Sequence, residues 1–269
     1  MNQDLVRNIS KLGRRYFKDY LAKKTPRPSS LRKHWWKSYN FLAGVIFYQG
    51  RSNSLSTIIK DLAKNSIQDY FDTKSSSGIT NASDDDITEA RFAFQNSEIN
   101  GKTYKRLTDV EMLFGVMDKK GIITKKGVIH ILRDIPKGNI IDYSIRSIIQ
   151  GNVSSLYDKF HSVKSIAHKI TSMYLRDLVD LFYDEVGKSA EIRTRVGQSY
   201  LQPIDVWVRR VSGKAGIIVT GSKPLSQAQT IVDACRQVSR SRRFALRYNQ
   251  GAWWLGEHSL DLALEYLAE

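Results

Sequence analysis

The sequence predicts an all-α protein assembled from many short helices. Apolar residues recur at three- and four-residue spacing along most of the 269-residue chain, the period of a helix with one buried face. Strict alternation of apolar and polar residues, the mark of a half-buried strand, is nearly absent; Ile217-Ile218-Val219-Thr220 is a doubtful exception. Clusters of Pro, Ser, Gly and Asp punctuate the periodic segments at close intervals, which keeps each helix short.

In chain order, Leu5, Ile9, Leu12, Tyr16 and Tyr20 form the apolar stripe of a first amphipathic helix. The stretch Thr25-Pro26-Arg27-Pro28-Ser29-Ser30 breaks it, since proline donates no hydrogen bond and restricts the residue before it. Ser30 is the expected cap of the next helix. That helix is predicted to run through Trp35, Trp36 and Tyr39 into the apolar residues 41–48 and to end near Gln49-Gly50. Further helices are expected around residues 55–71, 87–95, 108–117, 125–132 and 141–149. Residues 74–86, rich in Ser and Asp, are expected to be loop.

Charge narrows the class of partner. Lys plus Arg number 42 against 27 Asp plus Glu, a net +15, and such an excess calls for an anionic partner, nucleic acid first and an acidic membrane surface second. The distribution is uneven. Arg7, Lys11, Arg14, Arg15, Lys18, Lys23, Lys24, Arg27, Arg32, Lys33 and Lys37 face only Asp4 and Asp19 in the first forty residues. A second basic block runs from Arg209 to Arg247, and the intervening residues 69–98 are acidic around Asp84-Asp85-Asp86. No apolar run approaches the roughly 20 residues that span a bilayer, so no membrane insertion is expected. The N-terminal residues lack the charged-then-apolar layout of a secretory leader, so the chain is expected in the cytoplasm (nucleoid-associated) or the nucleus rather than outside the cell.

Several familiar chemistries are excluded by residue supply. The single Cys235 rules out an internal disulfide framework and four-cysteine zinc or iron–sulfur sites. The five histidines never stand as an i, i+4 pair, so no metal ligand set and no cofactor are expected. Asp118-Lys119-Lys120-Gly121 has lysines where a calcium loop needs oxygen ligands. Gly213-Lys214 and Gly221-Ser222-Lys223 lack the glycine spacing of a phosphate-binding loop.

Two segments carry chemistry. Residues 156–161 read as a short helix, Val163-Lys164-Ser165-Ile166-Ala167 as a tight turn, and His168-Lys169 as the start of a second helix. Two helices joined by so short a turn can offer backbone N–H groups to a phosphate, because amides at a helix start lack intrahelical partners. By itself this is a common helical hairpin. Further on, Leu201-Gln202-Pro203-Ile204-Asp205-Val206 sets an extended approach at Pro203 and places Asp205 where a helix cap belongs. A capping carboxylate is held rigidly and kept ionised by the helix dipole, which also suits it to stabilise a developing sugar cation. The residue types alone leave both readings of Asp205 open.

Together these segments resemble the helix-hairpin-helix DNA glycosylase superfamily, whose pattern is Leu-Pro-Gly-Val-Gly-x-Lys followed later by a Val-Asp segment opening a helix. Residues 163–169 lie over the first part and Pro203-Ile204-Asp205 over the second. Ser165 and Ala167 replace both hairpin glycines, and the interval from Lys169 to Asp205 is long; both features are more similar to the archaeal 8-oxoguanine glycosylase branch. The resemblance implies two helical lobes with an active-site cleft between them: residues 49–182 as a helical-barrel lobe ending in the hairpin, and residues 1–48 with 183–269 as the second. It implies Lys169 as nucleophile and Asp205 as its carboxylate partner. It also implies a base pocket drawing on Gln49 and on Trp207, Trp253 or Trp254, and double-stranded DNA held by Lys164, Ser165, Ala167, His168, Arg209 and Arg210.

The implied protein is a monomer that excises a damaged or modified base, 8-oxoguanine-like by preference, extruded from the duplex. Strand cleavage through a Schiff base then follows on Lys169. That chemistry needs the neutral amine, which an ordinary lysine shows in only roughly one molecule in 2,500 at pH 7; partial burial at a helix start near Arg176 is the expected aid. Two alternatives stay open at this point: a glycosylase acting on hypermodified bases of foreign DNA, and a DNA-binding protein with no catalysis.

Overall fold

The structure, a computed structural model, describes residues 1–25, 27–48, 52–99, 101–103 and 107–268. It is all-α. The described exceptions are two short antiparallel ribbons, Glu98–Ile99 with Lys102–Thr103 and Val116–Met117 with Ile123–Lys125. The turn of the second ribbon is the Asp118 segment, where the Asp118 carboxylate accepts from the backbone N–H groups of Lys120 and Ile122. Residues 217–220 form no strand: Ile217 is buried and Ile218 is 80 % exposed, but no second strand pairs with them. Contacts divide the chain into two compact units, Met1–Pro26 with Ile145–Asp158 and His168–Glu269, and Arg27–Ser144 with Lys159–Ala167.

The first unit is organised by its terminal helices. Helix Gln3–Arg15 starts at Asn2, whose side chain accepts the Leu5 N–H, and buries Leu5, Val6 and Ile9. It continues without a break into a π-helical turn, Tyr16–Leu21. The long helix Phe244–Ala268 lies directly against it. A β-carbon at Gly13 would stand 2.1 Å from the Arg247 carbonyl oxygen, and one at Gly251 1.9 Å from that of Ile9. The two backbones therefore touch, and only hydrogen fits between them. Helices Val206–Lys214 and Pro224–Val238 complete the core with Val208, Val211, Ile231, Val232 and Cys235, closed over by Tyr248, Ala252 and Leu255.

The second unit packs helices Trp35–Ile46, Asn53–Tyr70, Asp84–Asn96, Leu107–Phe114 and Val128–Asp134 around an aromatic centre. Phe94 meets Phe47 at 6.4 Å and Phe114 at 6.1 Å between ring centroids. Here the structure corrects three expectations. Ser30 caps nothing, because the helix already begins at Pro28, in a position where proline's missing donor is harmless. The expected second helix is two, Pro28–Lys33 and Trp35–Ile46, parted at His34, whose backbone is extended. A tertiary contact explains the break: the Lys74 carbonyl bonds His34 Nε2 and the Ser76 carbonyl bonds the Trp35 N–H. Asp84, Asp85 and Asp86 are not loop but the first turn of a helix, with Ser83 and Asp86 forming a reciprocal cap. Three carboxylates at a helix start complement its dipole, which accounts for the acidic stretch without invoking a ligand.

Candidate active site

Lys169 is the second residue of helix His168–Leu181 and Asp205 caps helix Val206–Lys214, so both stand at helix starts in the first unit. One carboxylate oxygen of Asp205 accepts the Val208 N–H at 2.9 Å. The other, Oδ2, faces the Lys169 ammonium at 3.6 Å, inside ion-pair range but beyond a hydrogen bond. Asp205 thus caps its helix with one oxygen and leaves the other beside an amine. The side chains differ in access: Lys169 is 39 % exposed and Asp205 only 8 %. An accessible amine beside a shielded, fixed carboxylate can give a nucleophile to an incoming electrophile while a negative charge stays behind it.

The helix His168–Leu181 also fixes the segment that carries Asp205. His168 is buried, and its Nε2 donates to the Gln202 carbonyl at 2.9 Å; because a carbonyl only accepts, Nε2 carries the proton. The opposite ring nitrogen then accepts from the Tyr157 hydroxyl at 2.9 Å, which ties the helix Val153–His161 across the turn to the next helix. Asn249 donates from its amide to the Pro203 carbonyl at 3.1 Å and accepts from Arg176 at 2.9 Å. Residues 202 and 203 are therefore held from two sides before the chain reaches Asp205.

Arg176 is the centre of a buried polar network. Its guanidinium also bonds Asp177 at 2.8 Å and the Tyr16 hydroxyl at 2.7 Å, and Tyr16 donates to Asp177 at 2.8 Å. Burial alone would lower the Arg176 pKa, but the negative charges of Asp177 and Asp205 and the Tyr16 oxygen outweigh it and hold the guanidinium charged. Burial pushes the Tyr16 phenol well above its ordinary range, so it stays a neutral donor. Arg176 is thus occupied within this network, with the Asp205 carboxylate in its field.

The other candidate residues fall out unevenly. Trp207 follows Asp205 by two, lies against Gly256 and carries the Arg210 guanidinium 5.3 Å over its ring. The Arg209 side chain folds back to the Asp205 carbonyl. Trp253 is half-buried, edge-on to Tyr16 at 5.6 Å and near Tyr20 at 5.9 Å, and Trp254 stacks on His258 at 3.9 Å. Gln49 lies outside the described residues. In the turn, Val163 and Ile166 are buried anchors, Lys164 and Ala167 are exposed, and Lys164 pairs with Glu111 at 2.5 Å. Ser165 has φ +69°, the left-handed conformation that the glycine of the family pattern would adopt without strain. His168 is the first residue of its helix, and its ring is used internally.

Sequence reasoning missed Tyr16, Asp177, Asn249 and Gln202. The available signal was polar residues on otherwise buried helix faces, Arg176-Asp177 in one helix and Asn249-Gln250 in another. Gln202 is 1 % exposed, and neither atom of its side-chain amide has a hydrogen-bond partner among the described residues. Unpaired buried amides are rare, and this one stands three residues before Asp205.

Fold and site thus define an all-α protein with a lysine–carboxylate pair built on two helix starts. Comparison with protein-family models, with curated proteins and with solved structures finds no match for this chain. Among the described residues no cluster of three or more His, Cys, Asp or Glu could hold a metal ion, and no helix is long and apolar enough to cross a membrane.

Proposed function

We propose that the chain is a DNA glycosylase of the helix-hairpin-helix kind, removing a damaged or modified base and cleaving the strand through a Schiff base on Lys169. The observation that carries this reading is the approach of Lys169 Nζ to Asp205 Oδ2, with the second oxygen of Asp205 tied down by the Val208 N–H. The left-handed Ser165 supports it, since this φ suits a glycine and the family pattern has glycine at this position.

In the chemistry proposed, neutral Lys169 attacks C1′ of the extruded nucleotide and the C1′–N bond breaks, its electron pair leaving with the base, which takes up a proton. Asp205 Oδ2 stabilises the positive charge that develops on the sugar and accepts the proton released by the amine. Ring opening gives the imine between C1′ and Nζ. Loss of a C2′ proton then expels the 3′ phosphate by β-elimination. An 8-oxoguanine-like base is the favoured substrate, and the protein acts as a monomer on duplex DNA.

Borohydride reduces the imine to a stable amine, so it links protein to DNA only if the Schiff base forms. Wild-type protein incubated with duplexes that each carry one modified base is expected to give a cross-link, a released base and a nick. Lys169→Gln is expected to abolish all three while keeping duplex affinity. A wild-type protein that cross-links to no lesion duplex defeats the lysine mechanism. DNA binding unchanged by Lys169→Gln, with no base released by either form, indicates a binding protein instead.

A further inference from the structure

A second feature of the first unit has no part in the chemistry above. Arg193, Arg236, Arg240, Arg242, Ser239 and Ser241 line a cavity of about 420 Å³, and no carboxylate lines it. The second basic block is not uniform. Arg243 and Arg247 both turn inward to the buried Asp180, at 2.6 and 3.0 Å; outside the block, Arg195 pairs with Asp233 at 2.5 Å. Arg236, Arg240 and Arg242 are exposed and make no ion pair among the described residues. The Nε–H of Arg193 is buried without an acceptor among the described residues, although a buried guanidinium donor ordinarily has one.

Local electrostatics point the same way. Arg240, Arg242 and Arg243 immediately precede helix Phe244–Ala268, whose first turn holds no acid. Cations at a helix start oppose its dipole, and amides at that end add further positive potential. Here this unfavourable arrangement stands beside an unpaired arginine donor and two serine hydroxyls. A bound anion would offset this conflict, and local conflicts of this sort are expected at functional or strained positions.

The basic lining extends beyond one socket. Ser241 also borders an adjoining cavity of about 590 Å³. Arg7, Lys11 and Arg14 line it from one face of helix Gln3–Arg15. A small anion needs one socket, whereas two adjoining basic cavities suit successive phosphates. The sides of the first cavity offer guanidinium and hydroxyl donors, with only Cys235 and Ala245 as small apolar patches, so it contacts backbone and does not read bases.

We infer that the cavity of Arg193, Arg236, Arg240 and Arg242 binds the phosphodiester backbone of a nucleic acid, as a contact separate from the hairpin and from Lys169. This rests on the nucleic-acid part of the proposed function and not on its chemistry. The test is equilibrium binding of an undamaged fluorescent duplex, followed by anisotropy over a salt series, so no turnover enters. The double variant Arg236→Gln/Arg240→Gln is compared with Lys119→Gln/Lys120→Gln, which removes the same charge from an exposed turn elsewhere. The first is expected to weaken binding and to reduce the slope of log K against log salt by about 1 to 2; the second is expected to leave the slope as in wild type. Equal slopes for the two doubles overturn the inference. So does a cavity double that binds the duplex like wild type but no longer co-sediments with phosphatidylserine vesicles. Because Arg236 and Arg240 are exposed, both doubles are expected to melt like wild type, and Arg240→Glu alone, with the same change in charge, serves as an independent variant with a comparable loss. Failure of borohydride trapping leaves this result standing, and an unchanged slope leaves the trapping result standing.

Discussion

Asp205 shows why residue identity underdetermines role: one oxygen caps a helix and the other faces an amine, and only the backbone direction at the cap assigns them. Ser165 is the complementary case. Its left-handed φ costs a residue with a β-carbon about 1–2 kcal/mol, against about 0.5–1 kcal/mol of extra chain entropy lost by glycine. Ser165→Gly is therefore expected to stabilise the protein by about 0.5–1 kcal/mol, read as a higher thermal midpoint; a lower midpoint would mean that the serine side chain holds the turn. Gln202 gives a second prediction at this scale. Its buried, unpaired amide is destabilising by about 1–3 kcal/mol relative to an apolar group of the same shape. Gln202→Met should raise the denaturation midpoint while lowering base release, if the amide meets substrate. A stability loss on this substitution would show that the amide is satisfied in the folded protein.

At the scale of elements, the contact of helices Gln3–Arg15 and Phe244–Ala268 depends on Gly13 and Gly251, where backbone meets backbone. Alanine at 251 gains about 1 kcal/mol of helix propensity. It also forces the helices apart, since its β-carbon would overlap the Ile9 carbonyl oxygen. Overpacking of this kind costs typically 1–3 kcal/mol, and rigid backbone leaves no side chain to yield. With the overpacking cost at the upper end of that range, Gly251→Ala is expected to lower stability by about 2 kcal/mol in denaturant melts, and an unchanged midpoint would contradict the close approach. The same helix supplies Asn249, which reaches both Arg176 and the Pro203 carbonyl, so this packing bears directly on how Asp205 is held. On the proposed glycosylase function, a Gly251→Ala protein that remains folded is expected to lose base release out of proportion to its loss of DNA affinity.

For the whole molecule, the net +15 overstates what a partner meets. Arg176, Arg195, Arg243 and Arg247 are paired with Asp177, Asp233 and Asp180, and Lys164 with Glu111. On the proposed DNA-binding function, the remaining exposed cations set the interaction with the duplex. With six to ten phosphates contacted, duplex affinity should fall by roughly a thousandfold or more between 50 and 200 mM salt. The thermal midpoint should change little over the same range, because the buried pairs are poorly screened. Affinity that is insensitive to salt would remove electrostatic backbone contact from the account.

The sequence by itself determined the helical class, the helix starts at Lys169 and Asp205, and the excess of positive charge. These depend on spacing, capping chemistry and composition, which act over a few residues. It could not place the break at His34, whose extended backbone answers to a loop forty residues away. Nor could it show that Arg176, Tyr16, Asp177 and Asn249 close into one network behind Asp205, because bonded partners in it are as much as 161 residues apart. Only tertiary structure decided which arginines turn inward to buried carboxylates and which stay outside. A charge in a sequence has a sign but no neighbours, and burial and pairing exist only once the chain is packed.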